Sequence, residues 1–378
     1  MKTLQRTALA AASTLLALLA APSAHAWQAS LTVLDPVSSS DEELCGATSI
    51  SDDGQIVGGY TRTMRSADGR AGALWPNGPV AREVRGFQTK NLWGHVRALT
   101  PSGAIVVGSA TLANEPQAFK WTVGTGTQML ERPPGFRGGE ALALSSDGSV
   151  VVGYGNYDAS VWGRPVHMTE AVVWNNGQPT PLGFLNNGLS SKAFDVTPDG
   201  SVIVGESWTD SNIGEHLAVA WVNGVGPIEI GDLPGGYDRS RAVAVSDDGN
   251  TVAGWGTTVF NPYLHRIFRW TRTGGMVDLG FPTGYFLAEA TAMTPDGSVI
   301  VGWGEKPASA NRAPVIWDAL NGTRDLILVL EAAGVDVSAW RDTAGNTFMQ
   351  ATGISADGKT IVGYGNFDNS RRAWVATL

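Results

Sequence analysis

One motif recurs seven times along this chain, and this repetition constrains the fold more than any other feature. Each copy contains a run of alternating small apolar residues, a Ser/Thr-x-Asp-Gly turn, a run similar to Val-Val-Gly and, 16 to 26 residues after the turn glycine, a tryptophan; in the second copy Ser102 replaces the aspartate. A period of about fifty residues filled with strand-forming segments indicates a repeat architecture in which each copy is one supersecondary unit. The turn glycines are Gly54, Gly103, Gly148, Gly200, Gly249, Gly297 and Gly358.

The copies contain the pattern of four antiparallel strands, of which the seventh copy has only the first three. Apolar residues alternate on both sides of the turn, which predicts two half-buried strands of a hairpin. A third strand ends at the tryptophan and a fourth follows, as in residues 274–282. Four such strands form one blade, so we predict an all-β, seven-bladed β-propeller. Equivalent tryptophans in stacked repeats are expected to pack between blades; they are Trp75, Trp121, Trp174, Trp221, Trp270, Trp317 and Trp374.

The two ends of the chain complement each other. Only four residues follow Trp374, so the seventh copy lacks its own fourth strand. The segment 30–36, SLTVLDP, has the composition of a strand and belongs to no other copy. Pairing the two ends would remove the exposed edges that an open array has to cap. We therefore predict a ring closed by pairing of the N-terminal strand with the C-terminal blade.

The first 26 residues predict export. They carry Lys2 and Arg6, then an apolar run and the sequence Ala-His-Ala at 24–26, which is the layout of a cleavable secretory signal. We thus expect residues 1–26 to be a signal peptide and residues 27–378 to be the propeller, located in the periplasm or secreted. Nothing later in the chain has the apolar length of a membrane span.

The net charge, the cysteine content and the absence of certain motifs exclude several classes of partner, cross-link and cofactor. The formal net charge is −9 and becomes about −11 once Lys2 and Arg6 are removed, and a field of this sign repels nucleic-acid phosphates. The single cysteine, Cys45, cannot form an internal disulfide and is expected to be a small buried hydrophobe. GxSxG, HExxH and paired-cysteine motifs are absent from the sequence, so no metal or cofactor is predicted.

The connections that vary in length indicate where a ligand would bind. From each tryptophan to the next turn glycine the distance is 26 to 28 residues in five cases and 41 in the last. The longest gap contains residues 323–340, whose spacing predicts a short helix ending at Gly334. The connection between the second and third strands also changes length between copies. In a propeller it opens on the same face as the connection to the next blade, and variable loops on a rigid scaffold usually carry function.

Candidate site residues fall in these connections. Four histidines lie there together with aromatic and cationic side chains. We predict as ligand-binding residues His95, Trp162, Arg164, His167, Trp208 and Arg266. If the protein is an enzyme, the predicted catalytic residues are His216, Tyr263 and His265.

The repeat pattern resembles that of a family of exported bacterial proteins with HAF repeats. The resemblance covers nearly all of the chain after residue 26 and rests on the SxDGxxVVG hairpins, the segment QAFKW at 117–121 and the closing segments GVDVSAW and AWVATL. Gln117 stands where the motif that names the family has a histidine. The resemblance implies an exported propeller and implies no particular reaction.

Three interpretations of the function remain open at this point. The leading one is a monomeric binding protein for an extracellular or periplasmic polymer, a glycan, on the face with the variable loops. The second is a polysaccharide lyase or hydrolase on the same face, in which a histidine and Tyr263 abstract a proton and Arg164 or Arg266 holds a substrate carboxylate. The third is a protein-interaction scaffold.

Overall fold

The computed structural model describes residues 28–37, 44–62, 70–84, 94–112, 115–161, 163–209, 215–258, 261–307, 312–368 and 370–378. The predicted signal peptide and Trp162 lie outside these residues. The described chain forms seven separate four-stranded antiparallel sheets. The sequence prediction of a seven-bladed β-propeller is therefore confirmed.

The strands follow each other in sequence within every sheet except the last. In chain order they are β1 (Ser30–Leu34), β2 (Cys45–Ile50), β3 (Ile56–Arg62), β4 (Arg70–Pro76), β5 (Arg82–Glu83), β6 (Gly94–Leu99), β7 (Ile105–Leu112), β8 (Glu115–Thr122), β9 (Gly126–Met129), β10 (Gly138–Leu144), β11 (Val150–Val161), β12 (Arg164–Asn175), β13 (Gln178–Pro181), β14 (Ser191–Val196), β15 (Val202–Trp208), β16 (His216–Val222), β17 (Val225–Gly231), β18 (Ser240–Val245), β19 (Thr251–Thr258), β20 (Asn261–Thr271), β21 (Gly275–Gly280), β22 (Leu287–Met293), β23 (Val299–Glu305), β24 (Arg312–Asp318), β25 (Gly322–Asp325), β26 (Met349–Ile354), β27 (Thr360–Phe367) and β28 (Ser370–Thr377).

The ring is closed by a strand from the other end of the chain. The seventh sheet has the order β1-β28-β27-β26, and β1 pairs antiparallel with β28 from Ser30 opposite Thr377 to Leu34 opposite Ala373. Cys45 of the first blade is fully buried at this junction, where its thiol donates to the carbonyl of Leu34. The predicted closure and the predicted burial of Cys45 are both confirmed.

Among the described residues, seven hydrophobic clusters hold the blades together, and each lies between two neighbouring sheets. The blade tryptophans belong to these interfaces, as predicted. The indole N–H of Trp75, Trp174 and Trp221 donates to a carbonyl just after the fourth strand of the preceding blade, at 2.7 to 2.9 Å. Each of these tryptophans thus buries its ring and satisfies its one donor across the interface.

The hairpin turns follow local rules that the sequence carries. In the third blade, Asp147 Oδ1 accepts hydrogen bonds from the hydroxyl of Ser145 and from the backbone and hydroxyl of Ser149. These donors lower the pKa of Asp147 to about 2. The glycine that follows, Gly148, has φ of 67°, in the left-handed region. We call the end of the ring that carries these turns the turn face and the opposite end the loop face.

One α-helix lies in the long connection before the last blade. Helix α1 (Leu326–Ala332) begins after Asp325, whose carboxylate accepts from the backbone N–H of Ile327, and Gly334 follows it with φ of 85°. The buried hydroxyl of Tyr285 donates to Asp325 at 2.5 Å, which joins the helix start to the preceding blade. The sequence predicted this helix and its end. Across the described residues, no helix has the length and hydrophobicity needed to cross a membrane.

Candidate functional site

A cavity of about 460 Å³ lies on the axis of the ring, because the first strands of all seven blades contribute to its lining. The residue eight positions before the turn glycine contributes to it in four consecutive blades: Glu140, Lys192, Arg241 and Glu289. The residue six positions before the glycine is the extra residue of a β-bulge in every first strand. A bulge redirects the side chain that it carries. Here it brings further side chains, including those of Arg97 and Phe194, into the lining of the axial cavity.

A second cavity of about 490 Å³, which we call the groove, crosses the third, fourth and fifth blades on the loop face. Its lining includes His167, Trp208, His216 and Arg239, and it shares Lys192 and Arg241 with the axial cavity. The two cavities are therefore adjacent parts of one depression, which we call the basin. The variable connections between second and third strands open beside it, since His167 and His216 lie at or near the start of third strands.

The carboxylates of the basin are held by cations or imidazoles. Glu140 accepts from Arg97 at 3.0 Å. The side chain of Glu206 is 8% exposed. Its carboxylate accepts a hydrogen bond from Arg241 at 2.7 Å and lies 3.7 Å from His216 Nε2. Each pair joins two neighbouring blades, except that Glu206 and His216 belong to the same blade. Buried charges of this kind require such partners.

Trp255 stands at the centre of a cluster that contains both predicted catalytic histidines. The ring of His265 stacks on Trp255 with centroids 4.1 Å apart, and the ring of His216 meets its edge at 5.8 Å. His265 Nδ1 lies 2.7 Å from Glu289 Oε1 of the next blade. The structure therefore brings His216 and His265 to one indole ring, each beside a glutamate. A histidine paired with a carboxylate is an arrangement that can accept or deliver a proton.

Tyr263, the third predicted catalytic residue, is 70% exposed. The guanidinium of Arg239 lies over its ring at 5.6 Å. Tyr263 thus lies beside the groove through its contact with Arg239.

The predicted ligand-binding residues divide into two groups. His167 and Trp208 line the basin; His167 is 74% exposed at its side chain, and its Nδ1 lies 2.6 Å from Asp158. Among the others that the structure describes, His95 stacks on Tyr60 at 4.9 Å, Arg164 is exposed at the start of β12, and Arg266 pairs with Asp278 at 2.8 Å. The pairing turns Arg266 toward the outer strand of its blade and away from the basin.

Aromatic residues six positions after the turn glycine lie around the axial cavity. Tyr364 donates its hydroxyl to Gln350 at 2.8 Å, and the guanidinium of Arg312 lies 3.9 Å from the ring centre of Trp303. Tyr154 lies under the ammonium of Lys192 at 4.7 Å. Burial raises the pKa of both Tyr154 and Tyr364 above the usual value, so these phenols stay protonated at neutral pH.

The charged residues that line the axial cavity are the part of the site that the sequence motifs did not identify. Glu140, Lys192, Arg241 and Glu289 occupy one repeat position, and Glu206 lies opposite Lys192 in the sheet. The signal was present in the sequence: charged residues occupy the position eight before the turn glycine in four consecutive copies, next to alanines that are buried. In the described part of the chain, no group of three His, Cys, Asp or Glu side chains is arranged to hold a metal ion.

The fold and the basin define an all-β ring protein with one polar depression at the axis, and comparisons with known proteins agree with the fold. No protein-family model and no curated protein matches this sequence. Solved propellers do match in structure. Oligogalacturonate lyase from Vibrio parahaemolyticus is similar over 93% of this chain and 97% of its own, with 11% identity and a TM-score of 0.57.

Two further structures with TM-scores above 0.5 agree with the fold. An oligogalacturonate lyase in complex with manganese matches 93% of this chain and 96% of its own, with 13% identity and a TM-score of 0.57. The propeller domain of the Trilobed protease from Pyrococcus furiosus matches 93% and 95%, with 9% identity and a TM-score of 0.51. The match to TolB from Acinetobacter baumannii spans 63% of that protein, with 15% identity and a TM-score of 0.47. At these identities the likeness concerns the fold alone.

Proposed function

We propose that this protein is an exported propeller that binds a polymer, specifically a glycan, in the basin. The observation that carries the proposal is the union of the axial cavity with the groove over blades three to five. Together they offer an open polar surface larger than one sugar unit needs, with volumes in the range typical of ligand sites. A chain-like ligand can lie across the groove while one unit enters the axial cavity.

The chemistry of the basin suits sugars. Trp208 supplies an aromatic surface for the apolar face of a sugar ring, and Ser190 and Thr169 supply hydroxyl groups on the same wall. Both cations and carboxylates line the axial cavity and can exchange hydrogen bonds with sugar hydroxyls. Export to the periplasm or the medium, a monomeric state and membership of the HAF-repeat family are parts of this proposal that rest on the sequence.

A glycan-binding assay tests the proposal. The protein without residues 1–26 is titrated with a panel of neutral and acidic polysaccharides, and binding is followed by calorimetry and by intrinsic tryptophan fluorescence. Trp208→Ala is expected to weaken binding about tenfold or more through loss of stacking. Val277→Ala, at an exposed strand position on the outer edge of the fifth blade, serves as the control and is expected to change nothing. Absence of binding across the panel would contradict the proposal.

A polysaccharide lyase is the second candidate, and the two histidine–glutamate pairs at Trp255 favour it together with the fold likeness to oligogalacturonate lyase. In such a reaction one histidine, His216 or His265, removes the proton next to a uronate carboxylate. The electron pair forms a C=C bond as the glycosidic C–O bond breaks, and the departing oxygen takes up a proton. The products are an unsaturated sugar and a new chain end.

The enzymatic candidate is separated from pure binding by product analysis. Acidic polysaccharides are incubated with the protein, and unsaturated products are followed by their ultraviolet absorbance together with new reducing ends. If turnover occurs, the double variant His216→Gln and His265→Gln is expected to abolish it while still binding polymer. Turnover that survives this double substitution would exclude both histidines as the base.

A further inference from the structure

The charges of the basin do not cancel, although the protein as a whole is acidic. Three carboxylates, Glu140, Glu206 and Glu289, belong to the basin or touch it, and each has a partner described above. Two of the carboxylates pair with arginines and the third with an imidazole, so the four Lys and Arg side chains of the basin outnumber its three carboxylates. After these pairs are formed, two cations of the basin are left over, in a chain whose formal net charge is −9.

The two remaining cations are Lys192 and Arg239, and both line the groove. Within the described residues, no carboxylate lies within 4.0 Å of either cationic group. Their described neighbours are the faces of aromatic rings: Lys192 lies over Tyr154 at 4.7 Å, and Arg239 lies over Tyr263 at 5.6 Å. An aromatic face stabilises a cation without neutralising it, so both groups keep their attraction for an anion.

The position of Lys192 is set by the fold. It lies eight residues before Gly200 and opposite Glu206 in the strand pairing. The carboxylate of Glu206 forms its ion pair with Arg241. Arg239 follows Asp238 in the connection to β18, and its backbone N–H donates to Asp232 at 3.1 Å. That bond holds the main chain, and the guanidinium extends to the groove. Both cations are therefore presented from anchored backbone.

We propose that Lys192 and Arg239 form an anion subsite, and that the glycan bound in the basin is an acidic polysaccharide whose uronate carboxylates occupy it. This inference rests on the proposed function. The guanidinium fork matches a carboxylate in two parallel hydrogen bonds, and the ammonium adds a second, compact positive charge to the same groove. Trp208 lines the same groove and stacks on the sugar ring that carries the carboxylate. A sulfate ester presents the same charge, so the experiment separates the two groups.

The test compares matched polymers and matched variants. The ligands are polygalacturonate, its fully methyl-esterified form, and dextran with its sulfate ester. The variant is Lys192→Gln with Arg239→Gln, and the control is Lys359→Gln with Arg272→Gln, which removes two positive charges from turns of the turn face. We expect polygalacturonate to bind, its ester to bind much more weakly, and the double variant to lose about 10- to 100-fold in affinity for polygalacturonate. The control should bind as the parent does, and binding should weaken as salt rises.

The outcomes that overturn the subsite differ from those that overturn glycan binding. Equal binding of polygalacturonate and its ester, or full affinity in the double variant with an unchanged melting curve, would exclude the anion subsite and leave glycan binding in place. Binding of dextran sulfate without polygalacturonate would exclude uronates as the ligand. Binding of no polysaccharide at all would overturn both the subsite and the proposed function.

Discussion

At the scale of single residues, the turn aspartates show how much of this fold is encoded locally. Each accepts hydrogen bonds from the Ser or Thr two residues before it and from the backbone two residues after it, as Asp199 does with Thr197 and Ser201. The donors, the acceptor and the glycine all lie within five residues of one another. A short-range pattern of this kind can be interpreted from sequence, and all seven turn glycines have the predicted positive φ, from 67° to 74°.

The turn glycines also contact the preceding blade, and a pair of substitutions can isolate that contact. Gly200 and Gly224 of the fourth blade have φ of 74° and 73°, but a Cβ at Gly200 would lie 2.6 Å from a methyl of Val150, whereas a Cβ at Gly224 would meet nothing within 4 Å. We expect Gly224→Ala to cost about 1 kcal/mol through φ alone. Gly200→Ala should cost about 1 to 3 kcal/mol more, because a β-branched side chain cannot easily move aside. Urea denaturation measures both, and equal losses would contradict the steric part.

The carboxyl group of Asp195 is expected to make the stability of the folded protein depend on pH. Its carboxylate accepts from the backbone N–H of Val196 and from that of Val245 in the next blade, yet burial raises its pKa to about 7. In the unfolded chain this pKa is about 4. Between these values the folded protein holds a proton that the unfolded chain has lost, so this group's contribution to the free energy of unfolding falls as the pH rises from about 4 to about 7.

The comparison with Asp195→Asn isolates this contribution from the other carboxylates. Melting temperatures of the parent and the variant are measured from about pH 4 to about pH 8. We expect the parent to lose stability relative to the variant as the pH rises through this window, by up to about 1.4 kcal/mol for each unit of the pKa shift. Parallel pH profiles would show that Asp195 ionises in the folded state as it does in the unfolded chain.

At the scale of elements, the strand most dependent on a distant partner is β1. It is the outer strand of the last blade, and the chain between β1 and β28 makes the other six blades and the remaining two strands of the last one. Leu34 is 2% exposed in the cluster that joins the seventh and first blades, and the carbonyl of Asp35 accepts from the indole of Trp75. The sequence allowed this closure to be predicted because the seventh copy lacked a strand and the N-terminal segment had no copy of its own.

Deletion of residues 27–36 is therefore expected to lower the melting temperature by several degrees, since it removes one strand pairing and the buried Leu34. Thr32→Ala changes an exposed side chain in the same strand and should leave the melting temperature within about a degree. Thermal denaturation followed by circular dichroism measures both proteins. An unchanged melting curve after the deletion would mean that the terminal pairing contributes no stability.

At the scale of the whole molecule, the number of blades could be counted in the sequence, whereas the basin could not be assembled from it. Repeats specify how each blade is built and how many there are. They do not specify which loop side chains reach the axis: Arg266, predicted in the site, pairs with Asp278 of its own blade. The pairs that define the basin join different blades, such as Arg241 with Glu206, 35 residues apart in the chain. Such pairs depend on the three-dimensional ring.

The position eight residues before each turn glycine has a consequence for how such proteins change. The seven residues there differ widely, from glycine and glutamine to lysine and glutamate, on backbones that share one pairing register. The shared register lets the side chain at this position vary while the strand pairing stays the same. Duplication and exchange of hairpins would then give new ligand preferences in large steps, and the same modularity offers a practical route to engineering the ring by recombining its units.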